Sequence, residues 1–334
     1  MRHVITAASI TACLGLFFCG CASSGKETAA KPDTGRPPIQ GVAEFPAVTL
    51  TATPQSMGEA VRAIGEQAGG GLVLMKGLEQ QPLQGIQFQS LPYQQAVQGL
   101  AAANQYQVQQ AANYYFVFPA GYEALQELAL EQQVAAHYPD ATIAAAFGAG
   151  TRLYDVFAIL GKALDITIVG DNNVADSQCG EFTFQDAPLG AVLEAALKSA
   201  RVLGASLTVD VNPEYIYLGS AENRSAASAL LNGGDLTEDQ QKLLATRVNL
   251  QLPEPSDNPV FHRGAVPLSV AIPSFTRQTG VRLLAVDTLL VLPVNPVAMN
   301  DIPLGTAMDL LVRQWLVPKF GYEIRGNEVV LVER

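Results

Sequence analysis

Cysteine, histidine and tryptophan are scarce in this chain of 334 residues, which has four, three and one of them. Cys13, Cys19 and Cys21 all fall near the amino terminus, so Cys179 stands alone in the rest of the sequence. No intramolecular disulfide framework is open to a folded region, and Cys179 reads as a buried inert thiol. His137 and His262 have neither a cysteine nor a second histidine at ligand spacing, which argues against zinc and leaves exposed or capping roles. Basic residues are the minority, 20 Lys and Arg against 31 Asp and Glu for a formal charge of −11, and they form no cluster. Nucleic acid is therefore excluded as a partner, and the acidity reads as a solubility feature. Gly69-Gly70-Gly71 and Gly148-Ala149-Gly150 lack the lysine of a phosphate loop and read as turns. Asp171-Asn172-Asn173 with Asp176 lacks the glycine and closing glutamate of a calcium loop. No nucleophile, base and oxyanion donor assemble from the sequence, so the expectation is no enzyme and no cofactor.

The amino terminus carries an address. Arg2 precedes an apolar run over 4–18 that is too short for a membrane span, the pattern of a secretory signal. Phe18-Cys19-Gly20-Cys21 resembles the lipobox of bacterial lipoproteins. The resemblance implies a signal peptide over 1–20 and lipidation of Cys21, whose acyl chains would anchor the chain at about 0.8 kcal/mol per buried CH₂. Ala22 and Ser23 follow without an aspartate, which by resemblance to enterobacterial sorting implies the outer membrane, facing the periplasm. The alternative is an ordinary signal peptide cut elsewhere. Residues 21–43 are polar and Pro- and Gly-containing, and read as a flexible tether.

Beyond the tether one pattern occurs three times. Pro92, Pro188 and Pro303 each precede an amphipathic stripe, at Tyr93, Ala96, Val97, Leu100, Ala101; at Leu189, Val192, Leu193, Ala196, Leu197; and at Leu304, Ala307, Met308, Leu311, Val312. A second stripe recurs upstream, opening at Met57, Leu153 and Leu268 and ending at Gly69, Asp165 and Gly280. Pro273 predicts that the third of these helices is kinked or starts late. Short apolar strands follow each of these helices, others precede each second helix, and a hairpin closes each unit. First strands are expected at Val48–Ala52, Thr142–Phe147 and Val260–Arg263. The prediction is an α+β fold of three tandem small sandwich modules, each two helices on a small mixed sheet in the order βαββαββ. Module boundaries are placed at 44–118, 140–219 and 258–334. A connecting helix is expected over 119–139, and a helical and Pro-rich linker over 220–257 with a capping box at Thr237-Glu238-Asp239-Gln240.

Phe184-Gln185-Asp186-Ala187-Pro188-Leu189 and Met299-Asn300-Asp301-Ile302-Pro303-Leu304, in this order of strands and helices, resemble the secretin and TonB amino-terminus short domain and the related amino-terminal domains of secretins. The resemblance implies a periplasmic structural or interaction protein that docks to or extends a secretin-type secretion or type IV pilus channel. Neither the β-rich gate region of a secretin nor a receptor barrel is expected. Protein partners in an envelope complex and a possible homo-oligomer are implied. The final hairpin strands, Tyr215, Ile216, Tyr217 and Leu218 and Val329, Val330, Leu331 and Val332, are the candidate partner-binding edges, with protection of the second by Glu328 and Glu333 as the alternative. A second functional reading is a binding module for peptidoglycan or a soluble ligand at a module junction.

Overall fold

Local sequence sets the helix ends. Ser56 caps α1 (Met57–Ala68) by accepting from the Glu59 N–H, and Gly69 closes it in the left-handed region at φ 68°. The corresponding closures fall on Asp165 at φ 57° and Gly280 at φ 71°. The computed structural model describes residues 46–333 except 51–53, 84–85, 123–128, 203–206, 224–227, 254–263 and 316–318. These residues belong to one unit spanning Glu44–Arg334.

The chain runs through β1 (Val48–Leu50), α1, β2 (Gly71–Leu74), β3 (Phe88–Leu91), α2 (Tyr93–Ala103), β4 (Tyr106–Gln110) and β5 (Tyr114–Pro119). After α3 (Leu130–Ala135) come β6 (Thr142–Phe147), α4 (Leu153–Leu164), β7 (Thr167–Gly170), α5 (Asn172–Ala175), β8 (Phe182–Pro188), α6 (Leu189–Ser199), β9 (Leu207–Val211) and β10 (Tyr215–Ser220). Then follow α7 (Glu238–Ala245), β11 (Arg247–Leu252), β12 (Val266–Pro267), α8 (Leu268–Thr279), β13 (Arg282–Ala285), β14 (Pro293–Val294), β15 (Val297–Pro303), α9 (Leu304–Val312), β16 (Phe320–Arg325) and β17 (Glu328–Glu333). The fold is mixed α+β with several small mixed sheets.

One set of pairings recurs over 48–119, 142–220 and 247–333, which we call the first, second and third segments. In each, a hairpin pairs its second strand in parallel with the strand after the first helix: β2 with β5, β7 with β10, and β13 with β17. In each, the first strand pairs antiparallel with the strand before the second helix: β1 with β3, β6 with β8, and β11 with β15. The expected stripes of α2, α6 and α9 are buried throughout. Pro92, Pro188 and Pro303 are the N-cap residues of these helices.

Two residues before each of these prolines the chain bulges. Ser90, Asp186 and Asp301 have φ of 50°, 54° and 47°, and the strand register shifts beside them. Thr49 Oγ1 accepts from the Ser90 N–H at 3.1 Å, and Asn249 Oδ1 accepts from the Asp301 N–H at 2.9 Å. The Asp-x-Pro-Leu phrase is therefore a bulge followed by a helix start, and aspartate suits its left-handed residue.

The structure differs from expectation at three places. The third segment's first strand is β11, upstream of the Pro-rich stretch, because that stretch is inserted between first strand and first helix; Val260–Arg263 lies outside the described residues. The α8 helix begins at Leu268 and continues through Pro273, which sits on its solvent face. Of the connecting helix expected over 119–139, Leu130–Ala135 alone is α-helical among the described residues, with 123–128 outside them; the capping box at Thr237, by contrast, forms with Gln240 as expected.

Candidate interaction surfaces

The candidate edge strands are interior. β10 lies between β7 and β9, and β17 between β13 and β16, because each gains a parallel neighbour from far upstream that no local pattern announces. Ile216, Tyr217, Leu218, Val329, Val330 and Leu331 are buried, and Tyr215 and Val332 partly so. Glu328, the edge guard of the alternative reading, pairs with Arg282 of β13 at 2.7 Å.

Other singled-out residues have local roles or lie outside the described part. Cys21 and His262 are in the latter group, and His137 is exposed. Cys179 is fully buried, its Sγ 3.8 Å from the Gly148 oxygen, and burial pushes its thiol up to about 12. Asp171 caps α5 through Oδ1 to the Val174 N–H, while its Oδ2 accepts from the Ser220 N–H, the Ser220 hydroxyl and the Asn223 amide. That carboxylate is committed to joining the start of α5 to the end of β10.

The junctions between segments carry the most built chemistry. At the first, β8 adds antiparallel to β2, with Leu72 opposite Thr183 and Val73 opposite Phe182, so one five-stranded sheet in the order β4-β5-β2-β8-β6 crosses both segments. The Lys76 N–H donates to the Ser199 oxygen at 2.9 Å, and at the second junction the Asn172 N–H donates to the Gln314 oxygen at 2.8 Å. These four positions correspond: Lys76 and Asn172 each lie two residues past β2 or β7, and Ser199 and Gln314 each lie eleven residues after Pro188 or Pro303. The second junction also seats the Asn300 N–H on Thr167 Oγ1 at 3.0 Å.

A cation sits over tyrosine at both junctions. Lys198 is buried with its ammonium 5.4 Å from the Tyr114 ring centre and 2.8 Å from Glu194, which also accepts from the Tyr114 hydroxyl at 3.1 Å. Arg313 lies 3.5 Å from the Tyr217 ring centre and 5.9 Å from that of Tyr215, and reaches Asp210 at 2.9 Å. Lys198 and Arg313 both stand ten residues after their helix-opening proline; the residue at that place in the first segment is Ala102. By register Tyr114 and Tyr215 correspond to Glu328 in the third segment. The cation is thus carried by the segment that follows a junction and the tyrosines by the one that precedes it.

Two spaces open at the second junction. A cavity of about 90 Å³ is lined by Tyr215, Ser228, Thr306, Asp309 and Arg313. A groove of about 300 Å³ is lined by Lys162, Asp165, Asn249, Gln251, Gln278 and Asn300. The groove presents amides and one charge of each sign, and its lining has no aromatic platform.

The outer edges of the first strands differ. Gln67 on α1 reaches β1, its Oε1 accepting from the Thr49 N–H at 3.0 Å. Gln278 on α8 grips β11 from both sides, accepting from the Gln251 N–H at 2.8 Å and donating to the Gln251 oxygen at 2.9 Å. The corresponding residue of α4 is Ala163. No family model, characterised protein or solved structure matches the chain.

Proposed function

We propose that the chain is a tandem of three βαββαββ modules and acts as an outer-membrane-anchored periplasmic lipoprotein, a structural component that docks to or extends a secretin-type secretion or type IV pilus channel. The observation that supports this reading is the repeated junction, in which a backbone hydrogen bond at corresponding positions ties each segment to the one before it and a cation covers that earlier segment's tyrosine. A junction so built makes consecutive segments one stiff body, as a spacer or docking rod requires. Lipid on Cys21 would hold that body at the membrane through the 21–43 tether.

The test is crosslinking in intact cell envelopes followed by identification of the captured proteins. Capture of secretin or pilus-channel subunits, lost when Cys21→Ser releases the chain from the membrane fraction, is the expected result; capture of none of them overturns the docking role.

The polar groove at the second junction favours one other reading, the binding of a glycan fragment or another soluble ligand. Its amide lining offers both donors and acceptors to hydroxyl-rich molecules. Titration calorimetry with soluble muropeptides should show saturable heat that Gln278→Ala and Asn300→Ala abolish, and absence of heat removes this reading.

A further inference from the structure

The strand β6 is the first-strand edge that no glutamine closes. By register Ala144 occupies the place of Thr49 and Ala146 that of Gln251, the two residues whose backbone Gln67 and Gln278 satisfy. Among the described residues, no side chain takes the outward amides of Ala144 and Ala146. Six residues of strand present an edge about 20 Å long. Its sequence, Thr142-Ile143-Ala144-Ala145-Ala146-Phe147, holds no charge, no proline and no glycine, and the outward side chains of Thr142, Ala144 and Ala146 are small and exposed. Ile159, one turn before Ala163 on the same helix face, is 54% exposed, where α1 has Ala63 and α8 has Ser274. Two other outer strands are defended: β13 carries the Arg282–Glu328 pair, and β16 is covered by hydrogen bonds with 229–232. An open, uncharged edge invites strand addition.

We propose that β6 pairs antiparallel with β6 of a second copy of this chain. A two-fold axis through Ala144 sets Ala144 opposite itself, Thr142 opposite Ala146 and Ile143 opposite Ala145, so no bulky pair and no like charges meet. Four hydrogen bonds follow, from each Ala144 N–H to the other Ala144 oxygen and from each Ala146 N–H to the other Thr142 oxygen. The five-stranded sheet that already spans two segments becomes one of ten strands. A foreign peptide would need side-chain pockets beside the edge to be recognised, and alanines provide none. A strand meeting its own copy needs no such readout. The inference concerns pairing of the chain with itself and stands whether or not a channel is its other partner.

Ala144→Cys in the full-length protein in its own membrane tests this, since directly opposed residues lie within about 5.5 Å across such a pair, within reach of a disulfide. Mild oxidation should give a covalent homodimer of Ala144→Cys and none of Gln107→Cys on β4. Adding Ala163→Gln, an exposed change that copies the closure of the other segments, should cut the dimer yield at least tenfold with thermal stability unchanged. Failure of Ala144→Cys to crosslink, a yield indifferent to Ala163→Gln, or crosslinks to a different protein overturns the proposal.

Discussion

The guanidinium of Arg313 lies 3.5 Å from the ring centre of Tyr217, a residue 96 positions upstream on the far side of the second junction. The Tyr217 hydroxyl donates to the Arg313 oxygen at 3.0 Å and the guanidinium pairs with Asp210, so one residue joins the third segment to the second by stacking, charge and backbone. Val169 and Tyr217 of the second segment accordingly sit in the hydrophobic core of the third.

Arg313→Ala should therefore lower stability by about 2–4 kcal/mol, from the lost stack on Tyr217 and the lost charge-assisted hydrogen bond, while Asp210, 38% exposed, is left to water. Arg313→Lys keeps the charge but loses the planar stack and should fall between. Arg282→Ala, which removes an exposed pair with Glu328, should cost under about 1 kcal/mol. Urea unfolding followed by fluorescence of Trp315, the chain's one tryptophan, whose Nε1 donates to the Pro293 oxygen at 2.6 Å, reads all three. Equal midpoints for Arg313→Ala and Arg282→Ala would remove the junction role.

At the first junction Glu194 and Lys198 form the buried pair, with side-chain exposures of 9% and 1%. Lys198→Met leaves a carboxylate buried without its cation and should cost about 3–5 kcal/mol. Glu194→Leu with Lys198→Met removes both charges and should recover most of that loss. A residue of about 1 kcal/mol should remain, because the Tyr114 hydroxyl loses its acceptor. A double-mutant cycle in urea checks the sign; a double variant as unstable as Lys198→Met contradicts it.

These residues show where the sequence stops being informative. The stripes of α2, α6 and α9, the breakers at Gly69, Asp165 and Gly280, and all three hairpins are legible because periodicity and turn chemistry act over a few residues. Glu194 and Lys198 are four apart on α6, a spacing shared by ion pairs on exposed helix faces, and nothing local marks them as buried. They are buried because α6 is covered on that side by α3 and by the β5 hairpin, contacts made across the junction. The interior position of β10 and β17 is hidden for the same reason, since parallel partners sit about fifty residues away. The edge strand β6 is found by comparing Gln67, Ala163 and Gln278, a position outside the apolar stripe.

Burial raises the pKa of Asp309 above its ordinary 3.8, against the lowering effect of hydrogen bonds from the Ala229 N–H and the Ser228 hydroxyl and of the nearby Arg313 charge. A carboxylate whose native pKa is raised binds more protons folded than unfolded, so its contribution to stability falls as pH rises from 3.8 through the native value. Asp309→Asn keeps the acceptor oxygen and loses the titration. Its stability relative to the parent chain should improve across that window and level off above it, measured by urea unfolding at stepped pH. A difference that does not change with pH would show that Asp309 titrates alike in both states.

Gly65 makes the close packing of the first junction testable. A Cβ built there would lie 2.5 Å from Thr183 Cγ2 on β8, nearer than side chains pack. In an open helix Gly→Ala gains about 0.5–1 kcal/mol, so the sign of the effect reports the contact. Gly65→Ala should instead destabilise by about 1–3 kcal/mol, the cost of overpacking. Thr183→Ala, the residue type that Ala298 supplies at the corresponding place in the third segment, removes the methyl in conflict. The Gly65→Ala, Thr183→Ala double variant should then be more stable than Gly65→Ala alone, a coupling of opposite sign to simple addition. Strictly additive effects in thermal unfolding would mean that β8 does not rest on α1 at this point, and with it that the two segments do not share the five-stranded sheet.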